Sequence, residues 1–274
     1  MILVALAAAT AAPRPAPVMQ PSAASAIAAA ERAFARRAQS EGQWAAFRAT
    51  AAPDAIMFVP EVKRIVPALA AATEPAVPVM WWPATIAPSC DGSLGVSTGP
   101  WVRAASAGVG SFTTIWARMG QGAAQGYRWK LDHGRTTPRL IAAGNTPAVV
   151  APVCGVVSAE GAAGREAAYA RLAASVAASA GVEGAAAFAR DAAADVIVQA
   201  EDAMPAKGPA NLPVTRFGAA LASGHSDDWT LAWASRALLG GQPGAHDLRV
   251  WQWRGGDGWK LIMYETIGLT GLAK

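Results

Sequence analysis

Residues 23–41 place Ile27, Phe34 and Ala38 near helical spacing, with Arg32, Arg36 and Arg37 on the opposite side. That periodicity predicts an amphipathic helix. Gly42 punctuates it, and residues 44–51 then read as a second short helix stopped at Pro53. Residues 54–60 are a β-type run. From 61 to 80 the prolines at 67, 75 and 78 leave room for only a short helix inside a long connection, expected to cover the open end of the sheet as a lid. Strand-like runs follow at 81–87, 94–102 and 111–118, and after a Gly-rich turn another covers 127–133.

The same order then recurs. Ala45-Ala46-Phe47 and Asp54 reappear as Ala186-Ala187-Phe188 and Asp195, both at an offset of 141 (47 to 188 and 54 to 195). A constant offset across a helix and a strand start marks a duplication. Ile115-Trp116 matches Val250-Trp251 at an offset of 135, and Trp129-Lys130-Leu131 matches Trp259-Lys260-Leu261 at 130. The falling offset places the deletions in turns, where a duplicated fold tolerates them. Helices first and an antiparallel sheet after indicate an α+β class. The expected division is a leader at 1–22, one copy at 23–140, a charge-poor linker at 141–159 and a second copy at 160–274.

Composition adjusts this picture. Of 274 residues, 53% are apolar and 15% charged, which excludes disorder for most of the chain. The net charge of +4 comes from scattered arginines, so a nucleic-acid partner is not expected. The apolar run 2–12 is too short to span a bilayer and has the length of a secretory h-region, although no basic segment precedes it. A periplasmic or secreted protein is the expectation, with a cytoplasmic one as the alternative, and no membrane insertion once the leader is removed. Cys90 and Cys154 have no CxxC spacing. Two separate thiols are the commoner outcome for such a pair, and one bridge is the other.

The stretch "AERAFARRAQSEGQWAAFRATAAPDAIMFVP", followed by "WWPATIAPSCDGSLGVSTGPW" and "GSFTTIWAR…YRWKLDHG", resembles the nuclear transport factor 2-like superfamily, including its SnoaL-like and bacterial domain-of-unknown-function branches. The likeness covers 23–134 well and 165–265 more weakly, through "AAAFARDAAADVIV" and "DLRVWQWRGGDGWKLIMYE". It implies two tandem cone-shaped domains, each with N-terminal helices packed on a curved sheet around a ligand-binding cavity. Single-domain members commonly pair through their sheets, so the resemblance further implies a monomer with an intramolecular pseudo-dimer. Steroid isomerases of this superfamily use an aspartate before the proline ending the first strand and a tyrosine in the first helix. Those positions fall on Val59, on about Ala200 in the second copy, and near Phe34, none of which titrates.

Strict alternation puts Tyr127, Trp129, Leu131 and His133 on one face, taken as the cavity side, and Arg128, Lys130 and Asp132 on the other. His133, at the strand end and partly hydrated, is the candidate general base of a SnoaL-like lyase, isomerase or cyclase. The competing expectation is a non-catalytic module that binds a small apolar ligand or a partner protein through an aromatic-rich cavity. With 11 tryptophans in the chain, the candidate ligand residues are Trp82, Phe112, Trp116, Tyr127, Trp129, Trp229, Trp251 and Trp259. Asp54 and Asp195 read as turn or cap residues. The glycines at 120, 122 and 126 lie in a hairpin turn and make a poor phosphate loop. His225, Asp227, Asp228, His246 and Asp247 lack the spacing of a metal site, so no metal or cofactor is expected.

Overall fold

The computed structural model describes residues 22–58, 62–104, 108–120, 126–154, 161–178 and 189–268. The segment 1–22 expected to be a leader lies outside this range, apart from Ser22. So do Val59 and the predicted second helix around Phe188.

The chain runs α1 (Ala23–Glu41), α2 (Gln43–Thr50), β1 (Ala51–Phe58), β2 (Val62–Arg64), α3 (Ile65–Ala68), β3 (Met80–Trp81), β4 (Thr85–Pro88), β5 (Leu94–Arg103), β6 (Gly108–Met119) and β7 (Gly126–Thr136). It continues through β8 (Ala148–Val149), α4 (Gly161–Ala178), β9 (Ala192–Ala200), β10 (Ala206–Lys207), β11 (Arg216–His225), β12 (Leu231–Leu239), β13 (His246–Trp253) and β14 (Trp259–Ile267). Ser22 starts α1 by accepting the N–H of Ser25, and Ile27, Phe34 and Ala38 bury the predicted stripe. Gly42 separates the helices at φ 103°, where a Cβ would lie 2.8 Å from the carboxyl carbon of Glu74. The Glu74 carboxylate accepts the N–H groups of Trp44 and Ala45 at 2.8 Å each, so the connection 69–79 closes the start of α2. Pro53 does not stop α2 but lies inside β1, in the irregular stretch between the pairs Ala51 to Trp129 and Ile56 to Leu131.

Two sheets form, with the orders β2-β1-β7-β6-β5-β4-β8 and β10-β9-β14-β13-β12-β11. Apart from β8, and β3 on β5, the two orders are the same. In each, the first long strand runs parallel to the last and the other pairs of the shared order are antiparallel, so neither sheet is purely antiparallel. Each last strand also carries one extra residue at the same place. Lys130 is looped between the pairs Ile115 to Leu131 and Trp116 to Trp129, and Ile262 between Val250 to Met263 and Trp251 to Leu261. The register therefore equates Trp129 with Leu261 and Leu131 with Met263. The sequence match of Trp129-Lys130-Leu131 with Trp259-Lys260-Leu261 is two residues out.

That bulge also corrects the alternation expected for β7. Trp129 packs against α1 and α2 with Phe34, Phe47 and Trp116, whereas Leu131 points to the other face. A strand with one extra residue reverses parity beyond it. Asp132 thus joins the helix-covered face, where its hydroxyl partner Thr114 lies, and His133 goes with Leu131.

The faces away from the helices pack against each other. Leu94, Val96, Ile115 and Leu131 of the first sheet meet Leu231, Trp233, Leu248, Val250 and Met263 of the second in one buried cluster. The aromatic face carrying Trp251 and Trp253 instead covers the second sheet's own core beneath α4. The contact is reciprocal at two turns: the Asp91 N–H donates to Asp228 Oδ2 and the Asp228 N–H to Asp91 Oδ2, both at 3.1 Å. Within each turn a serine two residues earlier, Ser89 or Ser226, donates to the aspartate at 2.7 Å.

The connection is more than a tether. β8 pairs in parallel with β4, and a disulfide joins Cys90 to Cys154 with their Cα atoms 5.5 Å apart. The two-thiol expectation is thereby replaced by a bridge closing 64 residues of chain.

Candidate functional site

Two buried polar groups stand out, one under the helices and one between the sheets.

Under α1 and α2, a cavity of about 230 Å³ opens between the helices and the first sheet, walled by Phe47, Met57, Trp81, Trp101 and Phe112. Asp132 is its buried acid. The residue is 7% exposed, and the hydrogen bond found for its side chain comes from the Thr114 hydroxyl to Oδ2 at 2.7 Å. Burial pushes its carboxyl up to about 7, with the Thr114 bond pulling down and the nearby Glu31 charge adding to the rise. Glu31 lies deeper and is fully buried. Its Oε1 accepts the Trp81 indole N–H at 2.7 Å, and its Oε2 accepts the Trp116 indole N–H at 2.9 Å and the Ser97 hydroxyl. Burial raises its carboxyl too, against those three donors. The arrangement gives an apolar aromatic chamber one acid able to exchange a proton near neutrality, backed by a second.

Between the sheets, Glu265 is the centre. Its carboxylate meets His133 Nε2 at 2.6 Å and Arg135 Nη1 at 3.0 Å, and accepts the Thr113 hydroxyl and the Gln199 amide. Burial pushes Glu265 up, but Arg135 and His133 outweigh it and hold the carboxyl at about 2. His246 stacks on Phe58 at 3.6 Å between ring centres, with its Nε2 3.4 Å from His133 Nδ1. Burial, and then the His133 charge, lower His246 to about 4. His133 is 4% exposed, so the expectation of a hydrated strand-end histidine is corrected. It borders the cavity, yet both ring nitrogens face the second sheet's residues.

The other sequence candidates distribute as follows. Phe112 is on the cavity wall, and so is Trp81 in place of its neighbour Trp82. Trp116 and Trp129 fill the core behind the cavity, with their indole N–H groups on Glu31 and Thr50. Tyr127 donates its hydroxyl to the Gly92 carbonyl at 2.7 Å, away from the chamber. In the second half, Trp251 lines a separate cavity of about 370 Å³ with Tyr169, Leu172 and Arg249, while Trp229 and Trp259 pack on Tyr169. Phe34, where the resemblance would place a tyrosine, is wholly apolar packing. Asp54 is not a cap but an ion-pair partner of Lys130 across the parallel strands, which lowers its carboxyl. His225 stacks on Trp229, Asp228 sits in its turn, and His246 stacks on Phe58, so the five residues weighed for a metal are not gathered in one place.

Glu31, Trp81 and Trp101 were missed by sequence reasoning, as was Asp132 as a cavity acid. Glu31 carried a signal: it falls at i+4 from Ile27 and i−3 from Phe34, so it is a charged residue on the apolar stripe.

No family model matches the chain, and no curated protein is significantly similar to it.

Proposed function

We propose that this chain is a nuclear transport factor 2-like tandem protein that binds a small, mostly apolar molecule in the cavity of its first half. The observation that carries the reading is Asp132, a buried carboxyl on a mostly aromatic and aliphatic wall. Such a pocket, mostly apolar with a few polar groups, is the usual form of a small-molecule site. The family reading is supported by helices preceding a sheet whose first and last long strands pair in parallel, with a cavity between helices and sheet. Support for a monomeric pseudo-dimer comes from the occupied sheet faces: the surface through which single-domain members pair is already filled from within the chain. The Cys90–Cys154 bridge favours an oxidising compartment, hence export.

A thermal-shift screen of small apolar compounds tests the binding reading. A ligand at about 100 times its Kd adds about 2.7 kcal/mol of stability. Asp132→Asn should change the affinity of such a hit, and a hit indifferent to it sits elsewhere. Light scattering that shows a dimer would remove the pseudo-dimer reading.

A second reading is favoured by the position of the Asp132 carboxyl near 7, which suits a proton donor or acceptor in lyase, isomerase or cyclase chemistry. In it Asp132 replaces His133 as the acting group, because the His133 ring is committed to Glu265 and His246. Were an activity found, Asp132→Asn should lower kcat by about 100-fold or more with little change in melting temperature.

A further inference from the structure

The cavity of the first half is polarised along its depth. At the inner end stand Asp132 and, behind it, Glu31. At the rim stands Arg103, exposed, with its guanidinium carbon 5.9 Å from the centre of the Trp101 ring. The Trp101 indole N–H donates to the carbonyls of Ser111 and Arg135 at 3.1 Å each, which fixes the ring under Arg103. Arg103 makes no ion pair among the described residues. Between the two ends the walls are mostly aromatic or aliphatic, with Phe47, Met57, Trp81 and Phe112 alongside Gln43 and His133.

We infer that the cavity takes a single-ring aryl acid bearing a phenolic hydroxyl, with the hydroxyl donating to Asp132, the ring lying among Trp81, Phe47 and Phe112, and the carboxylate at Arg103. This rests on the binding reading above. Size limits the ligand to about one ring, because about 230 Å³ lies below the roughly 300 to 1,000 Å³ of drug-sized sites. Orientation follows from charge. A ligand carboxylate turned inward would be buried against two carboxyl groups, whereas turned outward it meets the one cation on the described rim. A hydroxyl inward satisfies the Asp132 oxygen that Thr114 leaves without a donor.

Calorimetric titration of the full chain with four probes tests this: 3-(4-hydroxyphenyl)propanoate, the neutral 3-(4-hydroxyphenyl)propan-1-ol, 3-phenylpropanoate without the phenol, and the cationic tyramine. The hydroxy acid should bind about tenfold tighter than either the alcohol, which loses the charged contact to Arg103, or the phenol-free acid, which loses the hydrogen bond to Asp132. Arg103→Ala should erase the advantage over the alcohol and leave the alcohol's own Kd unchanged. Equal binding of hydroxy acid and alcohol, tighter binding of tyramine, or a silent Arg103→Ala overturns the aryl-acid assignment while the binding reading stands. If none of the four binds but the thermal screen yields another cavity ligand, the assignment alone is overturned. If neither experiment yields a ligand, both fall.

Discussion

The two halves share strand order, parallel pairing and even the position of a bulge, yet their buried chambers are furnished differently. By the sheet register Asp132 corresponds to Tyr264, Thr114 to Arg249 and Phe112 to Asp247. At the helix offset of 141, Ile27, Ala28 and Glu31 correspond to Ala168, Tyr169 and Leu172, all of which pack on their own sheet. The first half therefore holds two carboxyl groups with neutral donors, and the second holds a carboxylate paired with Arg249 at 2.9 Å beside a phenol that donates to or accepts from Thr215. The two halves thus share backbone geometry and differ in chamber chemistry.

The halves also differ where they meet. His133 and Glu265 occupy equivalent positions, one per half, and face each other across the interface. In a symmetric homodimer that contact would bring two identical side chains together. Here it is a histidine against a carboxylate, with Arg135 added from one side only. Replacing Glu265 by Ala leaves the buried Arg135 guanidinium without its carboxylate and should cost about 3 to 5 kcal/mol, read from urea denaturation. A cost below about 1 kcal/mol would mean that the sheets are held by the aliphatic cluster alone.

The difference between the two chambers should also be visible in the pH dependence of stability. Folded Asp132 keeps its proton up to about pH 7 but loses it near its ordinary 3.8 when unfolded, so the folded state holds the extra proton between those values and stability falls as pH rises. The full effect is about 4 kcal/mol, and Asp132→Asn should remove it. Asp247, pushed up to about 6 by burial against the pull of Arg249, leaves a decline that ends earlier. Glu265 acts in the opposite direction and in another window: its contribution is complete above pH 4.5 and is lost as the pH falls towards 2. His246, lowered to about 4 by burial, opposes this decline, because its unfolded imidazole binds a proton between pH 4 and 6.5 and stability rises with pH there. The Asp132 contribution is therefore read as the difference between the chain and its Asp132→Asn variant, and an identical pH dependence of the two from pH 4 to 7 would contradict the assignment of Asp132 as the first chamber's protonated acid.

Among the described residues, only the first half has its edge strand covered by the linker, and the disulfide fixes that cover. Opening a 64-residue closure by Cys90→Ser with Cys154→Ser should destabilise by roughly 2 to 4 kcal/mol, seen as a lower melting temperature than that of the oxidised chain. An unchanged melting temperature would make β8 an ornament of the fold.

Much of this was legible in the sequence, for identifiable reasons. The shared strand order was foreshadowed where Asp54 and Ile115-Trp116 recur as Asp195 and Val250-Trp251, which the sheet registers match, whereas the Trp129 to Trp259 match did not hold. The helix stripe of α1 and the strands of the first sheet follow from simple periodicity. The bulge did not show, since Tyr127 to Leu131 alternates cleanly and only pairing with β6 reveals Lys130 as the extra residue. With the parity of Asp132 and His133 hidden, the cavity acid was placed outside and the interface histidine inside. The disulfide was equally invisible, because nothing local relates Cys90 to a cysteine 64 positions away.

The smallest expected effect separates the two buried polar groups most directly. His133→Ala removes a charged hydrogen bond to Glu265 but leaves Arg135 in place, so it should cost about 1.5 to 3 kcal/mol, more than a hydrated histidine and less than the loss of Glu265 itself. Trp129→Ala, in the core under the helices, should cost more than His133→Ala, at roughly 3 to 5 kcal/mol. The exchange His133→Glu with Glu265→His places the same pair across the same contact and keeps Arg135 beside a carboxylate. It should therefore recover part of the stability that either single change loses. If the exchanged chain is less stable than both single variants, the interface tolerates only one orientation, and the equivalence of positions 133 and 265 has no energetic meaning.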